Sequence, residues 1–192
     1  MCTKLEHIGV RGFALKLFES YLSNREQFTI VDGRKSMLET ITCGVPQGSV
    51  LGPLLFLLYV NDLPNCSNFQ SWLFADDAVL VMSDKSLEKL EQKMNIEASK
   101  LHDWLLANKL TIHYTDKTTY MLIKYKKNQK LQDFKFHIGT NQIKQCSEYK
   151  YLGVIIDNKL NWKSQIEALS KKIAGVVMEC YTKHDETLIE ER

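Results

Sequence analysis

At 192 residues, 44% hydrophobic and 25% charged, the chain has an ordinary globular composition, which excludes a largely disordered polymer. Five scattered cysteines (Cys2, Cys43, Cys66, Cys146, Cys180), with no C-x-x-C pair, exclude a dense disulfide framework or a simple zinc site. They suit a reducing, intracellular compartment, nuclear or cytoplasmic rather than secreted. Net charge is only +2, yet the 13 lysines and five acids between Lys109 and Lys172 give that stretch +8 and leave the remainder −6, a balance open to a polyanionic partner or to a solvated lysine face.

From Leu5 to Leu22 the apolar positions Leu5, Ile8, Phe13, Leu15, Leu17 and Tyr21 predict helical segments around a break at Gly9 and Gly12. A hairpin follows, with the strand-like runs QFTIV and MLETI separated by a turn that opens on Asp32-Gly33. All three prolines, Pro46, Pro53 and Pro64, fall between Cys43 and Cys66 among Gly44, Gly48 and Gly52, which predicts irregular backbone there. The apolar window Val50–Val60 has 11 residues, far short of the roughly 20 that span a bilayer, so it reads as an element buried on all sides and no membrane association is expected.

Next comes SWLFADDAVLVM, residues Ser71 to Met82, in which two aspartates interrupt an otherwise apolar run. Strand-like residues on both sides predict a tight β-hairpin with the carboxylates at or near its tip. Adjacent strand residues point to opposite faces, so at most one aspartate is a principal ligand for a cation. Crowded carboxylates repel unless a cation neutralises them, and hard divalent ions take one or two carboxylates plus substrate phosphates. The plain alternative is an exposed acidic turn. Leu87, Leu90, Met94, Leu101, Trp104 and Leu105 then recur at helical spacing behind an N-cap expected at Ser83 or Asp84. Strand candidates TTYMLIKY, FKFHI, QIKQCS and YKYLGVII precede a last helix from about Trp162, with Trp162, Ile166, Leu169, Ile173 and Val176 on one face.

The company of the aspartate pair carries more than the pair alone. GVPQGSVLGPL (Gly44 to Leu54), then LLYVNDLP and FADD, resemble the reverse transcriptases of non-LTR (LINE-type) retrotransposons. IGVRG, SYLSNREQ, WLLANKLTIHYTDKTTYML and YKYLGVIIDNKLNWKSQI are similar to the same family in the same order, so the resemblance runs from about Lys4 to Ile173.

The resemblance implies an α+β right-hand polymerase palm over residues 1–157, an antiparallel sheet with packed helices, and the start of a thumb over 158–192. It also implies two-metal nucleotidyl transfer to a primer 3′-hydroxyl, with Mg²⁺ or Mn²⁺ as the ions and RNA template, DNA primer and deoxynucleoside triphosphates as partners. Carried over by residue, Asp76 matches the metal-binding and catalytic aspartate and Asp77 its less direct companion. Pro46, Gln47, Gly48, Ser49, Phe74 and Ala75 match positions beside the incoming nucleotide and template. Lys117 matches a lysine that gives a proton to pyrophosphate, with Lys109 and Lys124 as rivals and an ordinary surface lysine as the alternative. Tyr151, Leu152 and Gly153 match a primer-positioning hairpin, and Lys163, Lys171 and Lys172 a thumb helix that follows the duplex backbone.

Departures accompany the matches. The family pattern includes an earlier aspartate in a phrase like D-x-x-K-A-F-D, and none of Asp32, Asp62, Asp84, Asp103, Asp116, Asp133, Asp157 and Asp185 has that context. The first catalytic aspartate and the fingers are therefore expected in a segment before Met1. From about Gly175, GVVMECYTKHDETLIEER departs from the family, and neither an endonuclease nor a zinc knuckle is visible. Three readings stay open: part of a working RNA-directed DNA polymerase, a remnant that at most binds nucleic acid through its basic half, and a fragment that is unstable alone.

Overall fold

The computed structural model describes residues 1–46, 48–115, 117–124 and 134–190, without the side chains of 178–190. The chain forms two compact units, Met1–Thr111 and Ile112–Arg192. Both mix helices with small two-stranded sheets, so the fold class is α+β.

In the first unit α1 (Cys2–His7) and α2 (Gly12–Leu22) flank the expected break. Gly9 makes it possible: at φ +97 its N–H donates to the Glu6 carbonyl while Val10 N–H reaches back to Leu5, the paired bonds that close a helix through a left-handed residue. The predicted hairpin is two nested pairs, β1 (Arg25–Gln27) with β4 (Glu39–Ile41) and β2 (Ile30–Val31) with β3 (Arg34–Lys35). Asp32 and Gly33, at φ 50 and 76, form its two-residue turn, the positive-φ pair that matches strand twist.

The apolar window is helix α3 (Leu51–Val60), with Pro53 tolerated in its first turn. It is not buried on all sides: Gly52, Leu55 and Val60 are, whereas Leu54 and Leu57 are half-exposed and Val50 before them is 94% exposed. A 3-10 turn at Leu63–Asn65 leads through Phe69 to β5 (Gln70–Phe74) and β6 (Asp77–Val81), and then to α4 (Leu87–Ala107). Leu5, Leu55, Leu63, Phe69, Ala98, Leu101 and Leu105 belong to the buried apolar set of this unit. The N-cap of α4 is Ser86, not Ser83 or Asp84. Ser86 has extended backbone and its Oγ accepts from Lys89 N–H, whereas the Asp84 carboxylate is already committed to Ser86 N–H and to the Lys93 ammonium.

In the second unit β7 (Thr119–Tyr120) runs parallel to β10 (Lys144–Gln145), and β8 (His137–Ile138) pairs antiparallel with β9 (Asn141–Gln142). TTYMLIKY is thus a strand only at its start, with Tyr125 outside the described residues, and QIKQCS is divided between two pairings. The rings of Phe134 and Phe136 lie 5.4 and 5.7 Å from that of Tyr120, whose hydroxyl donates to the Phe134 carbonyl at 2.9 Å. YKYLGVII is a hairpin rather than one strand: β11 (Glu148–Tyr151) and β12 (Val154–Asp157) turn at Leu152–Gly153. Helix α5 (Lys163–Glu190) starts where expected and continues through the stretch in which the resemblance lapses. Among the described residues no helix is long and apolar enough to cross a membrane.

Candidate functional site

Register decides what the FADD tip presents. Phe74 pairs with Asp77, so Ala75 and Asp76 form a two-residue loop with Asp76 in the turn and Asp77 as the first residue of β6. Both aspartates are exposed. Ala75 sits at φ +51, a position in such loops that favours glycine. Five paired positions, from Gln70↔Val81 to Phe74↔Asp77, hold that backbone in place. On one face of β5, Trp72 and Phe74 are 53% and 59% exposed, so the hairpin carries an aromatic face below an anionic tip.

The lead-in to β5 is fastened to α4. Glu97, only 7% exposed, accepts from Asn68 N–H at 2.8 Å and from its amide at 3.0 Å, and Lys100 Nζ donates to the same carboxylate at 2.8 Å. The Lys100 hydrogen bond, followed by those of Asn68, lowers the Glu97 pKa to about 2. At the base of α3, Lys4 Nζ donates to the Tyr59 carbonyl and to Asp62 Oδ1, each at 2.7 Å, and lies 4.5 Å from the Tyr59 ring centre and 5.0 Å from that of Trp104.

The proline-glycine loop closes on itself. Arg25 Nη2 donates to the Gly44 carbonyl, the Ser49 hydroxyl donates to the Pro46 carbonyl at 2.8 Å, and Gly52 N–H donates to Ser49 Oγ at 2.9 Å. A Cβ at Gly52 would stand 2.9 Å from both the Pro46 carbonyl oxygen and Ser49 Oγ, so only glycine fits there. Ser49 is therefore engaged in holding the loop and in accepting the Gly52 N–H of the first turn of α3, a different use of its hydroxyl from a direct ligand contact. Gly48, at φ +76, has open space where a Cβ would lie. Gln47 lies outside the described residues.

In the second unit the structure brings Lys117 to the β11–β12 hairpin: the Tyr149 hydroxyl donates to the Lys117 carbonyl at 3.4 Å, and the lysine is exposed. Leu152 and Gly153 form that hairpin's turn at φ 47 and 86, with Tyr151 just before them. Lys109, the rival of Lys117, has a backbone duty in the first unit. At φ +51 it closes α4 through Lys109 N–H to Leu106 and Leu110 N–H to Leu105, the part that Gly9 plays for α1.

Sequence reasoning passed over Asp157. It is 7% exposed, and its carboxylate accepts from the backbone N–H groups of Lys159, Asn161 and Trp162 at 2.9 to 3.1 Å. Burial raises its pKa, but those three donors outweigh burial and leave it lowered. An aspartate at a strand end, a few polar residues before an amphipathic helix, is the local signal that could have found it.

Among the described residues no three His, Cys, Asp or Glu side chains gather at metal-ligand spacing. The FADD tip offers hard oxygen donors of the kind divalent ions take, one carboxylate in the turn and its neighbour on the first residue of β6, so strand alternation does not govern the pair.

A family model, reverse transcriptase (RNA-dependent DNA polymerase), matches residues 2–156. Similar proteins include the RNA-directed DNA polymerase from mobile element jockey of Drosophila funebris, 26% identical over an alignment of 176 positions that covers 80% of this chain and 17% of the relative. The probable RNA-directed DNA polymerase from transposon X-element of Drosophila melanogaster is 26% identical over 170 residues, 86% of this chain and 18% of that protein. A retrovirus-related Pol polyprotein from type-1 retrotransposable element R1 of Bradysia coprophila is 28% identical over 182 residues, 92% of this chain and 17% of that protein. The chain thus spans less than a fifth of these relatives. No solved structure matches significantly. With the matched segment covering the proline-glycine loop, the FADD hairpin and the Tyr151 turn, the chain belongs to the reverse transcriptase (RNA-dependent DNA polymerase) family, as its resemblance to non-LTR retrotransposon enzymes implied.

Proposed function

We propose that residues 1–157 are part of a right-hand polymerase palm and that residues 158–192 begin a thumb, in a protein that copies an RNA template onto a DNA primer from deoxynucleoside triphosphates. The observation that carries this reading is the two-residue FADD turn, which holds Asp76 exposed at the apex of a paired hairpin despite the left-handed Ala75 beside it. Asp76 would be the principal ligand for Mg²⁺ or Mn²⁺, and Asp77 the secondary one. Divalent ions there supply the charge neutralisation and oxygen activation that phosphoryl transfer needs. A turn carboxylate and its strand neighbour would suffice for one ion with substrate phosphates and not for two, so the two-ion reading calls for a further carboxylate from outside this hairpin.

Apart from Lys117, the remaining residues position rather than react. Gly48 lets nucleic acid approach the backbone closely, Pro46 and Ser49 hold the loop that carries Gln47, and Phe74 and Ala75 border the nucleotide. Lys117 would give a proton to departing pyrophosphate, and Tyr151, Leu152 and Gly153 would support the primer strand. The test joins this chain to an upstream segment carrying the D-x-x-K-A-F-D-type phrase and measures Mg²⁺-dependent primer extension on RNA. Asp76→Asn should abolish extension, and an Asp76→Asn protein that extends as well as the parent would overturn the reading.

The net +8 of the Lys109–Lys172 stretch favours a second reading for the isolated chain, a remnant that binds nucleic acid without chemistry. Filter binding by the 192-residue chain should then weaken steeply with salt, and no affinity even at low salt would eliminate it.

A further inference from the structure

We propose that Asp157 is a positioning residue whose carboxylate locks the Glu148–Asp157 hairpin to the link that enters α5, so that the Tyr151–Gly153 tip and the helix lysines engage a primed duplex as one body. The inference rests on the primer-positioning reading of that tip. Its basis is a set of hydrogen bonds that all cross the same junction. Asp157 Oδ1 accepts from Lys159 N–H, and Oδ2 accepts from Asn161 N–H and Trp162 N–H. Ile155 N–H donates to Gln165 Oε1 at 2.8 Å, and the Ser164 hydroxyl donates to Glu148 Oε1 at 2.6 Å. Hairpin and helix are thus joined from both strands.

The link itself is strained. Leu160 and Trp162 stand at φ 52 and 62, left-handed values that bulky residues seldom adopt. Such backbone persists only where its surroundings over-determine it, and such sites concentrate where geometry serves function. Asp157 is the group that over-determines it, because a carboxylate offers two oxygens with several lone pairs whereas an asparagine offers one oxygen and an amide with nothing to accept. Lys163, Lys171 and Lys172 lie on the helix fixed in this way, so duplex phosphates bound there constrain the tip that the hairpin presents.

The test uses the 192-residue chain and two probes, a DNA primer annealed to RNA with a recessed 3′ end and a blunt heteroduplex of equal length. Amide exchange over residues 148–165 is read alongside the ratio of affinities for the two probes. Asp157→Ala should speed exchange at the junction by about tenfold and bring the affinity ratio to parity. Asp157→Asn, with one oxygen left, should fall between. Should Asp157→Ala fail to fold, Gln165→Ala, which removes only the acceptor for Ile155 N–H, should shift both readouts in the same direction by less. Faster exchange with an unchanged ratio would mean a merely structural lock and would overturn the proposal. A preference lost in Tyr151→Ala but kept in Asp157→Ala also overturns the positioning role while the primer reading of the tip stands. A parent chain with no preference for the recessed end, unaffected by Tyr151→Ala, overturns the primer reading itself and the positioning role with it.

Discussion

Two hairpins of the first unit, Ile30–Lys35 and Gln70–Val81, share a two-residue turn plan and differ in what fills it. The first carries Asp32-Gly33 at φ 50 and 76, residues that tolerate left-handed backbone. The second carries Ala75-Asp76, with alanine at φ +51, where L-residues lose roughly 1–2 kcal/mol. Their supports differ to match. The first hairpin has two paired positions beside its turn and three more only in the separate β1–β4 pair, with Lys35 Nζ 3.8 Å from the centre of the Phe28 ring; the second has five in one ladder and a lead-in anchored to buried Glu97. A turn whose residues suit its backbone sits beside a short ladder, while a turn that puts alanine at the left-handed position relies on longer flanks.

The largest effect should come from the adjacent pair of carboxylates that only the second tip carries. Mn²⁺ titrated into the chain should broaden amide resonances around residues 74–78, and Asp76→Asn should abolish that broadening while Asp32→Asn leaves it intact. Equal loss from both substitutions would erase the distinction. Next in size, Gly33→Ala should destabilise the chain by about 1–2 kcal/mol in urea unfolding, a purely backbone cost because nothing lies within 4 Å of the added Cβ. The converse change, Ala75→Gly, should stabilise by about 0.5–1 kcal/mol, since relief of the left-handed strain exceeds the entropy cost of glycine. Destabilisation by Ala75→Gly would show that the alanine is not strained.

The smallest effect is the acid response of the anchored hairpin. Glu97 has a folded-state pKa of about 2 against an ordinary 4.5, so its stabilisation is full above the ordinary value and fades as pH falls from about 4.5 toward 2. Thermal melts across that window should decline, and Glu97→Gln should flatten this component. An identical decline in the variant would move the cause elsewhere.

Much of this was legible locally. Asp-Gly between apolar runs marked the first turn and a doubled acid between strand-like runs marked the second, because turn chemistry and alternation act over a few residues. The α4 cap was misplaced by two or three residues because Ser83, Asp84 and Ser86 are all competent caps, and only the Asp84–Lys93 pairing removes Asp84 from the contest. The left-handed helix end at Lys109 was not legible because nothing in its neighbourhood announces it, the position being one usually filled by glycine.

By itself, then, the amino-acid order determined the two turns, the helices and the exposed aspartate pair, since each follows from periodicity and backbone preference within a short window. Tertiary structure alone decided that the Ser49 hydroxyl closes its own loop, that Glu97 holds the approach to β5 from 29 residues away, and that Asp157 organises the start of α5. These depend on which donors the fold brings to a buried oxygen, and a carboxylate removed from water is retained only where such donors replace the lost hydration.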